Sequence, residues 1–167
     1  MLPISITSDF GAGRPIGKSV QKLLDLETTR NLDKIETLKQ FANRITQMRQ
    51  KTKSLLSEWR RSNKTIAGYG AARSGPTLIS QLGLTGTIQY IVDDHPQKVN
   101  LYSSGDGIPI LPTSELCRRM PDFTVILAWV HSAKIIESNQ EYLERGGRFV
   151  VLCPETRIVG KDEDVPL

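Results

Sequence analysis

Thr65-Ile66-Ala67-Gly68-Tyr69-Gly70-Ala71-Ala72-Arg73-Ser74-Gly75, followed by Ile88-Gln89-Tyr90-Ile91-Val92-Asp93-Asp94, decides how this chain folds. A short apolar run enters glycines in the pattern G-x-G-x-x-x-x-G. A helix-compatible segment follows, and a second apolar run ends in two acids. That is the outline of a strand–turn–helix–strand unit whose first turn can cradle a phosphate. Gly68 permits the tight turn, Gly70 lets backbone approach a ligand, and Gly75 lets the helix pack close to the sheet. A helix opening across residues 71–74 turns free backbone amides and a positive dipole end toward an anion. Asp93, 25 residues after Gly68, stands where such folds place an acid that binds ribose hydroxyls. The third glycine comes two places later than in the G-x-G-x-x-G fingerprint, a departure from the standard NAD turn. The plain alternative is a turn whose glycines serve only the backbone.

Working outward, the pattern from residue 65 alternates strands with helices. Strands are expected near 65–69, 88–93, 108–111, 123–128 and 148–153, and helices near 74–82, 114–119 and 133–145. Glycines at 83, 86, 105, 107, 146 and 147 punctuate the boundaries. The run Phe123-Thr124-Val125-Ile126-Leu127-Ala128 is apolar on both faces, as in a parallel sheet covered by helices. Residues 65–160 therefore read as an α/β, three-layer, Rossmann-like domain with a mostly parallel sheet, and 161–167 as a loose polar tail.

Residues 1–64 form a lead segment. A short alternating run at Ile4 to Ser8 precedes a loop rich in glycine and proline. Ser19 caps a helix reaching about Glu27, with Val20, Leu23 and Leu24 on one face. Asn31 or Asp33 then starts a long helix to about Ser62. Its apolar stripe runs Leu38, Phe41, Ile45, Met48, Leu55 and Trp59, broken only by Thr52. At ~1.5 Å per residue, about 30 residues reach ~45 Å, longer than the domain that follows. Part of this helix is expected to meet a partner subunit, as in a homodimer, or a neighbouring domain.

The totals bound the class. A chain of 167 residues with 38% hydrophobic and 24% charged residues suits one globular domain. It has no run of ~18 apolar residues to span a membrane, and its first residues lack a secretory pattern. Cys117 and Cys153, the two cysteines, match no metal spacing and no disulfide framework, which points to a cytoplasmic setting. The net charge of +4 is uneven: residues 33–64 hold nine Lys/Arg against three acids. A solvated helix face accounts for this, and a nucleic-acid role lacks the aromatic or base-reading pattern that would go with it.

A second phosphate-like pattern, Ala12-Gly13-Arg14-Pro15-Ile16-Gly17-Lys18-Ser19, satisfies a relaxed P-loop. The run before it is short and half polar, so a turn of small residues is the better reading. Trp129 and His131 follow the fourth strand and can face the same cleft as Gly70, because ligands of open α/β sheets bind beyond the strand ends. Arg73 and Lys98 are the cations nearest the expected phosphate. With one well-placed histidine, a general base is hard to assemble from this chain.

These motifs together resemble the C-terminal domain of the SAM-dependent C-methyltransferases that act on nucleotide-linked deoxysugars. The matching residues are Gly68-Tyr69-Gly70-Ala71, Gly75, Thr77-Leu78, Tyr90-Ile91-Val92-Asp93-Asp94 with Pro96 and Lys98, and Ile108-Pro109-Ile110. Leu127-Ala128-Trp129, Gly146-Gly147-Arg148-Phe149 and Pro154-Glu155 continue the series, so the resemblance covers about residues 19–158. It implies that this domain holds a nucleotide-diphosphate sugar through Gly68, Tyr69, Gly70, Ala71, Arg73, Ser74 and Gly75, with Lys98 adding charge. Asp93 or Asp94 would take ribose hydroxyls, and Trp129 and His131 would border the sugar. It also implies a cysteine-rich zinc region and a SAM-binding domain ahead of this part. The present sequence matches neither, so no cofactor is expected in this chain and no methylation by it unaided. The family usually has lysine where Ser74 stands, so the phosphate contact there is weaker or passes to Arg73, and often asparagine where Val130 stands, a departure that bears on recognition of the sugar. Two other classes fit the residues: a small NAD(P)-binding module, or an interaction module built on the long helix.

Overall fold

The computed structural model describes residues 17–166. The run at Ile4 to Ser8 and most of the P-loop-like pattern, residues 12–16, lie outside them, as does Leu167. The chain divides into two compact units, Met1–Asn43 and Arg44–Leu167. In the first, α1 (Lys18–Thr29) is capped by extended backbone at Gly17. Its Val20, Leu23 and Leu24 are exposed, as are Leu38 and Phe41 of α2 (Ile35–Arg61). These apolar side chains of the stripes read from the sequence are thus exposed rather than buried in a core.

The second unit begins inside α2, well before residue 65, for a packing reason. Leu56 and Trp59 are buried, and the Trp59 indole stacks on Phe123 with ring centroids 4.0 Å apart. Thr52, the break in the stripe, is also buried, its hydroxyl donating to the Met48 carbonyl at 2.9 Å. Intrahelical bonding of this kind lets a threonine occupy an apolar seam. Arg60 donates to the Thr87 hydroxyl at 2.6 Å, and Lys64 pairs with Asp122 at 2.9 Å. Part of the basic excess is thus tied to the α/β unit rather than solvated.

The strands are β1 (Ile66–Tyr69), β2 (Ile91–Asp93), β3 (Ile110–Pro112), β4 (Phe123–Ile126), β5 (Phe149–Val151), β6 (Arg157–Val159) and β7 (Asp164–Pro166). They form one sheet in the order β3-β2-β1-β4-β5-β6-β7, parallel from β3 through β5 and antiparallel at β6 and β7. The expected Rossmann-like three-layer arrangement is what forms. One face packs Ile66, Phe123, Val125 and Leu127 against α2 and α3 (Gly75–Leu82). The other packs Tyr69, Tyr90, Ile126 and Phe149 against α4 (Ser114–Arg119) and α6 (Gln140–Glu144). Tyr142 anchors that second layer, accepting from the Thr124 hydroxyl and donating to the Pro121 carbonyl, each at 2.9 Å. Burial pushes its phenol up to about 12.

Three elements differ from the sequence reading, one of them β6 (Arg157–Val159), which lies beyond the last strand expected at 148–153. The helix expected over 133–145 is two pieces, α5 (Ser132–Ser138) and α6, interrupted at Asn139 and preceded by a short 3-10 turn (Trp129–His131). The Asn139 amide group donates to the Ile135 carbonyl at 2.7 Å and ends α5 there. The tail is not all loose, because Asp164–Pro166 pairs with β6 and extends the sheet. An aspartate and a proline among its three residues suit an edge strand, where one side of the ladder needs no partner.

Candidate functional site

Strand order reverses between β1 and β4, so their carboxyl ends splay apart and open a crevice. Gly70 follows β1 there with φ +85°. A Cβ on it would lie 2.6 Å from the Ala128 Cβ, so the protein's own packing requires this glycine, whereas one on Gly68 would lie 3.0 Å from the Ile91 side chain, a tight contact that this neighbour would have to relieve. Gly75 is different: a Cβ there would meet Leu127 at 3.8 Å, an ordinary contact, so close helix packing does not demand glycine.

The amides of the bend are mostly occupied. Gly70 donates to the Val92 carbonyl at 2.8 Å, Ala72 to Gly70 at 2.7 Å, and Gly75 to Ala72 at 2.9 Å. Ala71 donates to Asp93 Oδ2 at 2.7 Å. The expected anion-facing amides of residues 71 and 72 are therefore engaged internally. Among the described residues, the Arg73, Ser74 and Thr77 amides have no hydrogen-bond partner. Because α3 starts at Gly75 with Pro76 behind it, these are the donors at its opening turn.

Asp93 also departs from its expected role. Its side chain is 4% exposed, and besides Ala71 it accepts from the His95 amide at 2.8 Å and Lys98 Nζ at 3.2 Å. It latches the β1 bend to the loop after β2, leaving little of the carboxylate for a ribose. Asp94 is exposed beside it.

Two cavities flank the bend. One, of about 400 Å³, is lined by Tyr69, Gly70, Ala72, Asp93, Asp94, Lys98, Ala128, His131, Lys134, Ile135 and Ser138. The other, of about 360 Å³, is lined by Ala71, Ala72, Arg73, Gly75, Pro76, Lys98 and, beyond them, Leu101, Tyr102, Ser103, Ser104 and core aliphatics. Ala72 and Lys98 line both, so the two cavities adjoin at the bend as two lobes, one on either side of it. Of the residues expected at a site, the polar lobe gathers Tyr69, Gly70, Asp93, Asp94, Lys98 and His131, and the apolar lobe gathers Ala71, Arg73 and Gly75. Ser74 caps α3 between them, Gly68 lies beneath, and half-buried Trp129 lines neither lobe. The Tyr69 hydroxyl accepts from Asn139 at 3.3 Å, and burial raises its pKa. Sequence reading missed Lys134, Ser138 and Tyr102. The first two sit on a helix expected to be ordinary, whereas Leu101-Tyr102 is an apolar pair inside a polar loop, a signal that was available.

A family model described as the C-methyltransferase C-terminal domain matches residues 3–154. Among curated proteins, C-methyltransferase NovU of Streptomyces niveus is 30% identical over 152 residues, covering 90% of this chain and 36% of NovU. The chain thus spans little more than a third of that relative's length. Among solved structures, UDP-D-quinovosamine 4-dehydrogenase from Vibrio fischeri is 21% identical, matching 52% of this chain and 75% of its own, with a TM-score of 0.40.

Proposed function

The chain belongs to the family of C-methyltransferase C-terminal domains, and from that premise we propose that it holds a nucleotide-diphosphate sugar in the groove astride the β1 bend. The observation that carries this reading is the meeting of the two lobes at Ala72 and Lys98, with cations on both sides. A diphosphate at that junction would accept from the Arg73 and Ser74 amides and pair with the Arg73 and Lys98 side chains. Charge-assisted bonds of this kind are roughly twice as strong as neutral ones. Asp94 would accept sugar or ribose hydroxyls, with His131 and Tyr69 on the same lobe.

S-adenosylmethionine, the methyl donor implied for this family, fits the groove poorly. Its sulfonium and ammonium give it net positive charge, and it would sit among the cations Arg73, Lys98 and Lys134. The lining carboxylates are Asp93, already paired, and Asp94. The donor is therefore assigned to a separate domain, and this part's contribution to C-methylation is to bind and orient the acceptor.

Calorimetric titration with UDP-, TDP- and GDP-hexoses and with NADH tests the reading. Saturable binding of at least one nucleotide-sugar at a Kd below ~1 mM supports it. Binding of NADH alone indicates a nicotinamide-binding module. No binding of any of these at millimolar ligand leaves the bend a structural turn.

A further inference from the structure

We propose that the apolar lobe is a nucleobase pocket with Tyr102 as its stacking platform, so that a nucleotide-sugar lies with its base over residues 101–104 and its sugar against α5. This rests on the nucleotide-sugar reading above and adds the direction in which the ligand lies.

The two lobes differ in what they can satisfy. Behind its rim, the lobe at Tyr102 is walled by carbon from Pro76, Ile79, Ile91, Ile110 and Leu127. A hexose buried there would leave hydroxyls without partners, each a substantial cost. A planar heterocycle has apolar faces and polar edges, and suits such walls. The lobe at α5 presents Asp94, His131, Lys134 and Ser138, which can donate to and accept from sugar hydroxyls.

Tyr102 is placed for stacking. Its side chain is 71% exposed at the lobe's mouth, beside the exposed Leu101. Its backbone is nonetheless fixed. Tyr102 bridges Pro109, the Ile110 amide donates to Leu101 at 2.8 Å, and the Ser103 amide donates to Ile108 at 2.8 Å. An exposed aromatic on a held strand-like segment offers a flat face without an ordering cost in the loop. Ser103 Oγ accepts the Ile108 amide at 3.0 Å, which leaves the hydroxyl proton to donate to a carbonyl on a base edge.

Three variants of the full chain test the direction: Tyr102→Ala, Tyr102→Phe and Ser138→Trp. Both positions carry exposed residues, and circular dichroism confirms folding. Each is titrated with whichever nucleotide-sugar binds the parent, with its nucleoside diphosphate, and with glucose 1-phosphate. Tyr102→Ala is expected to weaken both nucleotide ligands by on the order of tenfold, while Tyr102→Phe keeps parental affinity. Ser138→Trp, which fills the α5 lobe, is expected to weaken the nucleotide-sugar and leave the nucleoside diphosphate unchanged. The reverse pattern, with Ser138→Trp weakening the nucleoside diphosphate and Tyr102→Ala not, overturns the direction but leaves nucleotide-sugar binding intact. Unchanged affinity in Tyr102→Ala overturns the stacking role. Failure of the parent chain to bind any nucleotide-sugar overturns the earlier reading, and this one with it.

Discussion

Gly70 and Ala128 meet where β1 and β4 part, so closely that a single methyl on Gly70 would lie 2.6 Å from the Ala128 Cβ. This contact fixes the floor of the crevice, because Leu127 also donates its amide to the Tyr69 carbonyl at 2.9 Å just beneath. The glycine therefore has a packing reason to be there before any ligand is considered.

Gly70→Ala is expected to destabilise the fold by about 2–4 kcal/mol. Roughly 1–2 kcal/mol comes from the positive φ and a similar amount from overpacking against Ala128. Gly75→Ala, with ordinary contacts, is expected to change stability by less than ~1 kcal/mol. Urea midpoints of the two variants test this contrast, and equal losses would contradict it.

Asp93 and Asp94 are neighbours with different roles. Asp93→Asn weakens the latch made with Ala71, His95 and Lys98, and is expected to cost about 1–3 kcal/mol of stability. Asp94→Asn leaves thermal stability within about 0.5 kcal/mol of the parent, as exposed substitutions usually do. It is expected to weaken nucleotide-sugar binding about tenfold. Melting curves and titrations on the same two proteins check both halves.

At the opposite end of the same strand pair, Asp122 clamps the start of β1. Burial raises its pKa, but the Thr65 amide, the Lys64 ammonium and the Thr65 hydroxyl overcome this and hold it at about 2. A carboxyl depressed on folding contributes stability above its unfolded pKa and loses it as pH falls through the folded one. The contribution, about 1–2 kcal/mol after allowing for partial exposure, should vanish between about pH 4 and pH 2. Asp122→Asn should flatten that part of the stability profile, measured by urea midpoints across this range.

Trp59 ties α2 to the sheet by stacking on Phe123. Trp59→Ala is expected to cost about 3–5 kcal/mol, as for other buried aromatic truncations. Leu38→Ala, on the exposed part of the same helix, should cost less than ~1 kcal/mol in the isolated chain. Guanidinium unfolding of both variants distinguishes a helix that belongs to the core from one that is merely attached.

Much of the architecture was legible because parallel strands are apolar on both faces and glycines mark their ends. Ile66 to Tyr69 and Phe123 to Ile126 were found for that reason. The edge strand Asp164–Pro166 was not, since its residues carry no apolar alternation and follow a neighbouring strand's ladder. The break at Asn139 was hidden because its apolar neighbours continue a helical period across it. At the site, the cluster of Gly70, Asp93, Asp94, Lys98 and His131 followed from strand-end logic. What each of them does there did not follow. Whether a carboxylate is free or locked depends on three-dimensional partners, and Asp93 is locked by groups two, five and 22 residues away. Arg60 and Lys64 likewise looked like solvated charge until their long-range partners were placed.

The central claim is that the groove on either side of Ala72 is a receptor for a nucleotide-diphosphate sugar. Calorimetric titration of the unmodified chain, and of Arg73→Ala and Lys98→Ala, with UDP-, TDP- and GDP-hexoses tests it most directly. A Kd below ~1 mM for one of these, weakened tenfold or more in either variant and falling with added salt, is the expected result. No heat from any of them at millimolar concentration, or binding that ignores both substitutions, would contradict it.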